Sequence, residues 1–294
     1  MKRSAIIVIF IFISLWMLGA TYTGDQFKKY WFAGKAELTR YSLDQARYGE
    51  MHKGEAVLIF VTEPFLTDKQ VKYEHGDKKN AIPILKLNFT KRFFTGIYPY
   101  TLITSTFTPV DLQKNRTLKV SSSTQEWCGV TYSQLNFRNN QYQGELHSYF
   151  QDESDQNLSI QTPWLEDEIW TRIRLAPESL PTGKIQILPG LQYLRLLHKP
   201  SQPVAANANL SASGNLKEYT LDYPDLKRKL TIRFDSQFPY TILGWEETMP
   251  GGFGEDVPLL TTKATRTNSI QTDYWNKHGE KDAVYREKLG LSQR

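Results

Sequence analysis

Glu246 and Glu247 follow Trp245 directly, and a carboxyl beside an indole is a setting in which burial can raise the pKa far enough for general-acid work. Neighbouring side chains on a strand point to opposite faces, however, so this pair does not converge on one bond as glycosidase carboxylates must. They read as charges at a strand edge. A hydrolase reading survives only if acids such as Glu126 and Glu246 meet in the folded chain. The five histidines, His52, His75, His147, His198 and His278, show no H-x-x-x-H or H-x-H spacing, so no metal-ligand set is expected. Ser121-Ser122-Ser123 lacks a G-x-S-x-G elbow and reads as polar strand. The single cysteine, Cys128, closes no intrachain disulfide and reads as a small buried hydrophobe. No G-x-x-x-x-G-K-[ST] phosphate loop is present, and Gly251-Gly252-Phe253-Gly254 reads as a loop rather than a dinucleotide fingerprint. Hence no cofactor is expected.

Binding chemistry is better represented than catalytic chemistry. The stretch Phe93-Phe94-Thr95-Gly96-Ile97-Tyr98-Pro99-Tyr100 places aromatic rings at a reversal between strands, where they either line an apolar mouth or fill the core. Phe93, Phe94, Tyr98, Tyr100, Trp127 and Trp245 are the candidate ligand-binding residues. The partner they suit is an apolar small molecule or lipid, or another envelope protein. Basic residues are scattered among acids along a chain of net charge +5, with no concentrated patch for phosphates, so nucleic acid is not an expected partner.

The elements that must carry these residues are strands. Leu85, Leu87 and Phe89 alternate with Lys86, Asn88 and Thr90, and Leu230, Ile232 and Phe234 alternate with Thr231, Arg233 and Asp235. That period of two belongs to a strand with one face in the core. Weaker alternation marks Leu118–Ser121, Lys184–Ile187 and Tyr219–Tyr223. The continuously apolar run Ala56 to Val61 predicts a strand covered on both faces. Gly76-Asp77, Asn139-Asn140, Ser213-Gly214-Asn215 and Pro250-Gly251-Gly252 supply the turns. One helix is expected near 163–175, with Thr162 as cap, Pro163 at its first position and Glu166, Asp167 and Glu168 against the positive end of its dipole. Its apolar face carries Leu165, Ile169 and Ile173, and it stops before Pro177. A second, weaker helix spans Asp282 to Leu289. The fold class is therefore all-β, a predominantly antiparallel sheet forming an open barrel or sandwich, with a main region over 25–198, a C-terminal β region over 204–275 and a polar tail over 276–294. Lys199-Pro200-Ser201-Gln202-Pro203 is the best internal boundary, and a wide loop within one sheet explains it equally well.

Before these strands, Met1-Lys2-Arg3 precedes an uncharged run from Ala5 to Leu18. At about fourteen residues this run matches a secretory signal better than the roughly twenty of a spanning helix. Residues 1–20 are read as a signal peptide or N-terminal anchor, because Leu18 before Ala20 fits a cleavage site poorly. With Ala20 where a lipoprotein signal carries its acylated cysteine, no lipid modification is expected. An outer-membrane barrel also alternates, but the prolines near strand ends and the charged terminus favour a soluble sheet.

The segments Tyr30-Trp31-Phe32-Ala33-Gly34-Lys35-Ala36-Glu37, Gln45-Ala46-Arg47-Tyr48-Gly49-Glu50, Thr95–Tyr100, Gln125-Glu126-Trp127-Cys128-Gly129 and Gly244-Trp245-Glu246-Glu247-Thr248 resemble an uncharacterised exported bacterial family of about this length. The resemblance covers nearly the whole mature chain. Members often carry the label "septum formation inhibitor Maf". True Maf proteins are cytoplasmic nucleotide pyrophosphatases of α/β fold with an S-x-S-P-R-R motif, and that motif has no match here. No catalytic residue is therefore implied, and the resemblance implies only export to the envelope.

Overall fold

The computed structural model describes residues 24–113, 116–161, 164–254 and 257–291. The signal or anchor segment expected at 1–20 and the expected cap at Thr162-Pro163 lie outside them. Sixteen strands form one sheet: β1 (Ala36–Arg47), β2 (Glu50–Leu66), β3 (Val71–Lys72), β4 (Ala81–Thr95), β5 (Tyr98–Pro109), β6 (Lys119–Glu126), β7 (Gly129–Arg138), β8 (Gln141–Ser148), β9 (Gln156–Ile160), β10 (Trp164–Leu165), β11 (Gly183–Leu188), β12 (Val204–Ser213), β13 (Leu216–Tyr223), β14 (Arg228–Asp235), β15 (Ile242–Pro250) and β16 (Leu259–Thr272). Their order is β10-β11-β12-β13-β14-β15-β16-β1-β2-β4-β5-β6-β7-β8-β9, with β3 beside β2, and all pairings are antiparallel except β10 with β11. Ends β9 and β10 do not pair, so the barrel stays open along one seam. The expected all-β antiparallel class is what forms.

Burial follows the alternation in the sequence. Leu85, Leu87 and Phe89 of β4 and Leu230, Ile232 and Phe234 of β14 are buried, while their polar neighbours are partly exposed. Asn139 and Asn140 both adopt positive φ, as a two-residue hairpin turn requires, and so do Tyr48 and Gly49 between β1 and β2.

Among the described residues four α-helices accompany the sheet: α1 (Asp25–Trp31), α2 (Glu166–Leu175), α3 (Leu191–Leu196) and α4 (Val284–Lys288). The expected helix is α2, and it ends before Pro177 as read, but it begins later than expected. Trp164 and Leu165 pair with Ile187 and Leu188, so the sheet claims them and the helix starts at Glu166. A second difference concerns its surface. All ten residues of α2 are buried, including the three acids at its start, which the sequence placed only against the helix dipole. The helix lies inside the curled sheet and meets both of its halves. Trp170 packs with Tyr41, Phe89 and Trp245 as a nested group of rings whose neighbouring centroids are 5.0 to 5.2 Å apart.

Charges buried with α2 are matched by guanidinium groups. Arg174 holds Glu37 of β1 through two bonds of 2.6 Å. Arg228 of β14 donates to Glu166 at 2.7 Å and to Glu247 at 2.7 Å, while Tyr223 also donates to Glu166 at 2.6 Å. Gly190, just before α3, passes so close to this cluster that a Cβ would lie 2.7 Å from Glu166 Oε1. Leu191 N–H then donates to Asp167 at 3.0 Å.

Burial pushes the Asp167 carboxyl up to about 7, against the Leu191 N–H and the charges of Arg228 and Lys91, and Glu166 adds to the rise. Because the folded value lies above the unfolded one, this group's stabilising contribution is complete below about pH 4 and is lost as pH climbs to about 7. Asp167→Asn is expected to flatten the stability curve across that window and to raise stability at pH 8 by a few kcal/mol. Urea titrations at pH 4.5, 6 and 8 check this; an unchanged slope contradicts it.

Candidate functional site

Consecutive antiparallel strands turn at alternate ends of the sheet, which divides the loops into two sets. One end, the mouth, gathers the turns at 48–49, 96–97, 127–128, 149–155, 224–227 and 251–254 with α3. At the other end α1 packs through Phe27 and Tyr30 on Phe238, with ring centroids 6.1 and 5.6 Å apart.

Arg47 organises the mouth. Its guanidinium carbon lies 4.1 Å from the Tyr48 ring and 5.4 Å from both Tyr100 and Phe253, and it donates to the Tyr48 and Tyr100 hydroxyls at 3.1 and 3.2 Å. It also donates to the Leu196 carbonyl of α3. The two tyrosine hydroxyls are 2.7 Å apart. Burial raises the Tyr48 phenol, but hydrogen bonds with Tyr100 and Tyr98 and the Arg47 charge outweigh it and leave the phenol below its ordinary range. Phe93 stacks on Tyr100 at 4.9 Å, and Tyr98 stacks on Trp127 at 6.2 Å.

Beside this group, His198 Nδ1 lies 2.6 Å from Glu153, while its Nε2 faces Arg195 at 3.3 Å. Ser148 Oγ donates to the same Glu153 carboxylate rather than to the imidazole. A serine, a histidine and an acid are thus adjacent without a nucleophile–base pair, since the imidazole nitrogen that would take the serine proton is turned to a cation. Burial raises the Glu153 carboxyl, yet His198, Ser148 and Arg195 together hold it below the usual carboxylate range. Glu126 faces Arg195 at 3.5 Å and accepts the Cys128 N–H at 2.7 Å. Glu246 points outward on β15 between Arg233 at 3.2 Å and Lys263 at 3.3 Å. Strands β16, β1, β2, β4 and β5 separate it from Glu126, so the two acids of the hydrolase reading are not brought together.

A second site lies on the outer wall. Leu38 stands opposite both Ile59 and Ile270, and Val57 stands opposite Thr90, so an apolar row crosses β16, β1 and β2 on the face away from α2. The C-terminal segment arches over it. Leu289 is buried against Ala36, Leu38 and Val61, with Tyr274 and Leu291 packed alongside. Between wall and arch remains a groove of about 410 Å³, within the range of small-molecule sites. Its charged groups are Glu55, held by Arg40 at 3.3 Å; Lys277, held by Asp273 at 3.1 Å; Asp282, which accepts the Gly279 N–H at 3.1 Å; and Arg92 and Arg286, while the ammonium of Lys91 turns to the inner face beside Phe89. Among the described residues Arg92 has no ion-pair partner; it lies 5.7 Å from the Phe94 ring.

No family model and no curated protein matches the chain. Among solved structures, the chain is similar in outline to a beta-barrel-like protein of domain of unknown function DUF1849 from Brucella abortus, with a TM-score of 0.44 and 8% identity over 80% of this chain and 96% of that one.

The six aromatic residues singled out in the sequence separate in space. Phe93, Tyr98, Tyr100 and Trp127 meet at the mouth. Phe94 points outward toward Arg92, since adjacent strand residues face opposite ways. Trp245 is 1% exposed in the ring cluster around α2, away from the four that meet at the mouth. Cys128 corrects its expected burial: it is exposed, because Trp127 and Cys128 form the two-residue tip between β6 and β7. Its thiol is raised by hydrogen bonding to Glu126 and by that residue's charge, which disfavours a reactive thiolate. Sequence reasoning missed the groove. The usable signal was the unbroken run Ala56 to Val61, which demands an apolar cover outside the sheet as well as inside.

Proposed function

We propose that the chain is an exported, envelope-facing binding protein that holds one lipid-like molecule, an acyl chain with an anionic end, in the groove on its outer wall. The observation that carries this reading is the outward pair Val57 and Ile59 beside Arg92, an apolar floor ending at a cation with no carboxylate partner among the described residues. Inside the barrel, α2 and the rings around it are buried in one core cluster among the described residues. The leader at 1–20 and the resemblance to an exported bacterial family support the envelope location; the Maf label adds no activity, because its phosphate motif is absent.

Tetradecanoate is expected to bind, and Arg92→Ala to weaken it about tenfold to a hundredfold, the range for losing a charge-assisted hydrogen bond. Tetradecanol, which lacks the charge, is expected to bind both proteins equally. Calorimetry reads both ligands, and a reporter active only outside the cytoplasm, fused after Gly24, reads export. Failure of tetradecanoate to bind, or an equal effect of Arg92→Ala on both ligands, refutes the groove assignment.

A further inference from the structure

The two ends of the barrel differ in what their turns present. At the mouth, five separate loops each hold a large apolar side chain toward solvent: Tyr48 (45% exposed), Ile97 (79%), Trp127 (67%), Tyr149 (73%) and Phe253 (54%). At the opposite end the turns include Asn139-Asn140, Gly214-Asn215, 236–241 and a lysine-rich stretch over 67–80, and the large exposed apolar groups there are Phe32, Val71 and Trp275, fewer than at the mouth and with Trp275 after the last strand instead of at a hairpin tip. A hairpin tip has no structural need for such groups, and polar turn residues serve the far end well.

From this asymmetry we propose that the mouth docks on a lipid bilayer, with the five tips entering the headgroup region. Three features select a membrane over a protein partner. The apolar groups stand on five different loops around a rim, with Tyr48 and Phe253 neighbours at 6.3 Å, so the tips reach a soft medium from several loops and not from one flat face. Four of the five are aromatic, and the ring types with a polar atom, Tyr and Trp, are those enriched at membrane interfaces. Stacking of Tyr98 on Trp127 and of Arg47 on Tyr48 and Phe253 holds three of the tips in place before contact. Attraction by charge is not the basis, because exposed Glu50, Asp152 and Asp225 offset Lys199 and Lys227 at this end. Binding is therefore expected on neutral phosphatidylcholine and should change little with salt. This goes beyond the ligand reading and does not depend on it, since the groove lies on the barrel wall.

Cys128 gives a natural probe, being the chain's single cysteine and exposed at the Trp127 tip. An environment-sensitive dye on Cys128 of the full chain is expected to shift to the blue on adding phosphatidylcholine vesicles and to be quenched by headgroup-level spin-labelled lipid. The same dye on Asn140→Cys in a Cys128→Ser background, at the far end, should remain in water. Ile97→Asp with Phe253→Asp should lower the fraction of Cys128 dye that shifts by about tenfold or more, at unchanged melting temperature, since exposed tips contribute little to stability. If the Cys128 dye stays in water while the chain floats with vesicles, the leader alone anchors it and the proposal is overturned. Equal shifts at both ends, or no effect of the two aspartates, overturn it as well. Tetradecanoate binding by the Ile97→Asp, Phe253→Asp protein separates this outcome from the fate of the groove.

Discussion

Arg228→Met is expected to cost about 3–5 kcal/mol of folding stability, the range for removing one partner from a buried ion pair. Arg228 satisfies two carboxylates at once, Glu166 on α2 and Glu247 on β15, and its guanidinium carbon lies 4.1 Å from the Tyr193 ring of α3. Its side chain is 1% exposed. Methionine would fill much of the same volume but leave both acids without their guanidinium partner, in a place where water cannot reach them. Adding Glu166→Gln and Glu247→Gln to Arg228→Met should restore most of the loss, because the uncompensated charges rather than the missing bonds set the penalty. Urea unfolding of the single and triple variants distinguishes the two. A single variant within about 1 kcal/mol of the parent, a typical surface-pair value, would show that the cluster is hydrated.

Trp245→Ala should have a comparable effect, about 3–5 kcal/mol, for a different reason. The indole is enclosed by Tyr41 at 5.0 Å and by Phe89 and Trp170 at 5.2 Å, contributed by two other strands and α2. These rings sit on rigid elements around the barrel axis and cannot collapse into the space left behind, so the cavity term is added to the lost burial. Trp127→Ala, an equal chemical change at an exposed tip, should stay within about 0.5 kcal/mol. Chemical denaturation with near-UV circular dichroism reads both. Equal losses at the two positions would refute the central placement of Trp245.

That contrast between the two tryptophans also marks what the sequence could convey. Alternation at Leu85, Leu87 and Phe89 and at Leu230, Ile232 and Phe234 located strands and their inner faces, because the pleat imposes a period of two whatever lies beyond. The same rule separates Phe93 from Phe94. Interior partners were not readable in this way. Glu166 follows the rule for the start of a helix, and nothing local reveals that Arg228, 62 residues on, will neutralise it. Arg174 and Glu37 are 137 residues apart. The groove was half legible: the run Ala56 to Val61 called for an outer cover, but Leu289 and Leu291 lie in a segment whose average polarity conceals a few well-spaced apolar contacts.

Strand pairing along the sheet has a temporal side. Every ladder joins strands adjacent or nearly adjacent in the chain except that between β1 and β16, where Ala36 meets Thr272. Hairpins on either half can close as soon as their residues are available, whereas β1 keeps one edge bare until the last strand has been made. An open edge recruits other chains. A nascent copy thus carries its most aggregation-prone surface through nearly the whole of synthesis, and a chain cut short before Leu259 would keep that edge permanently.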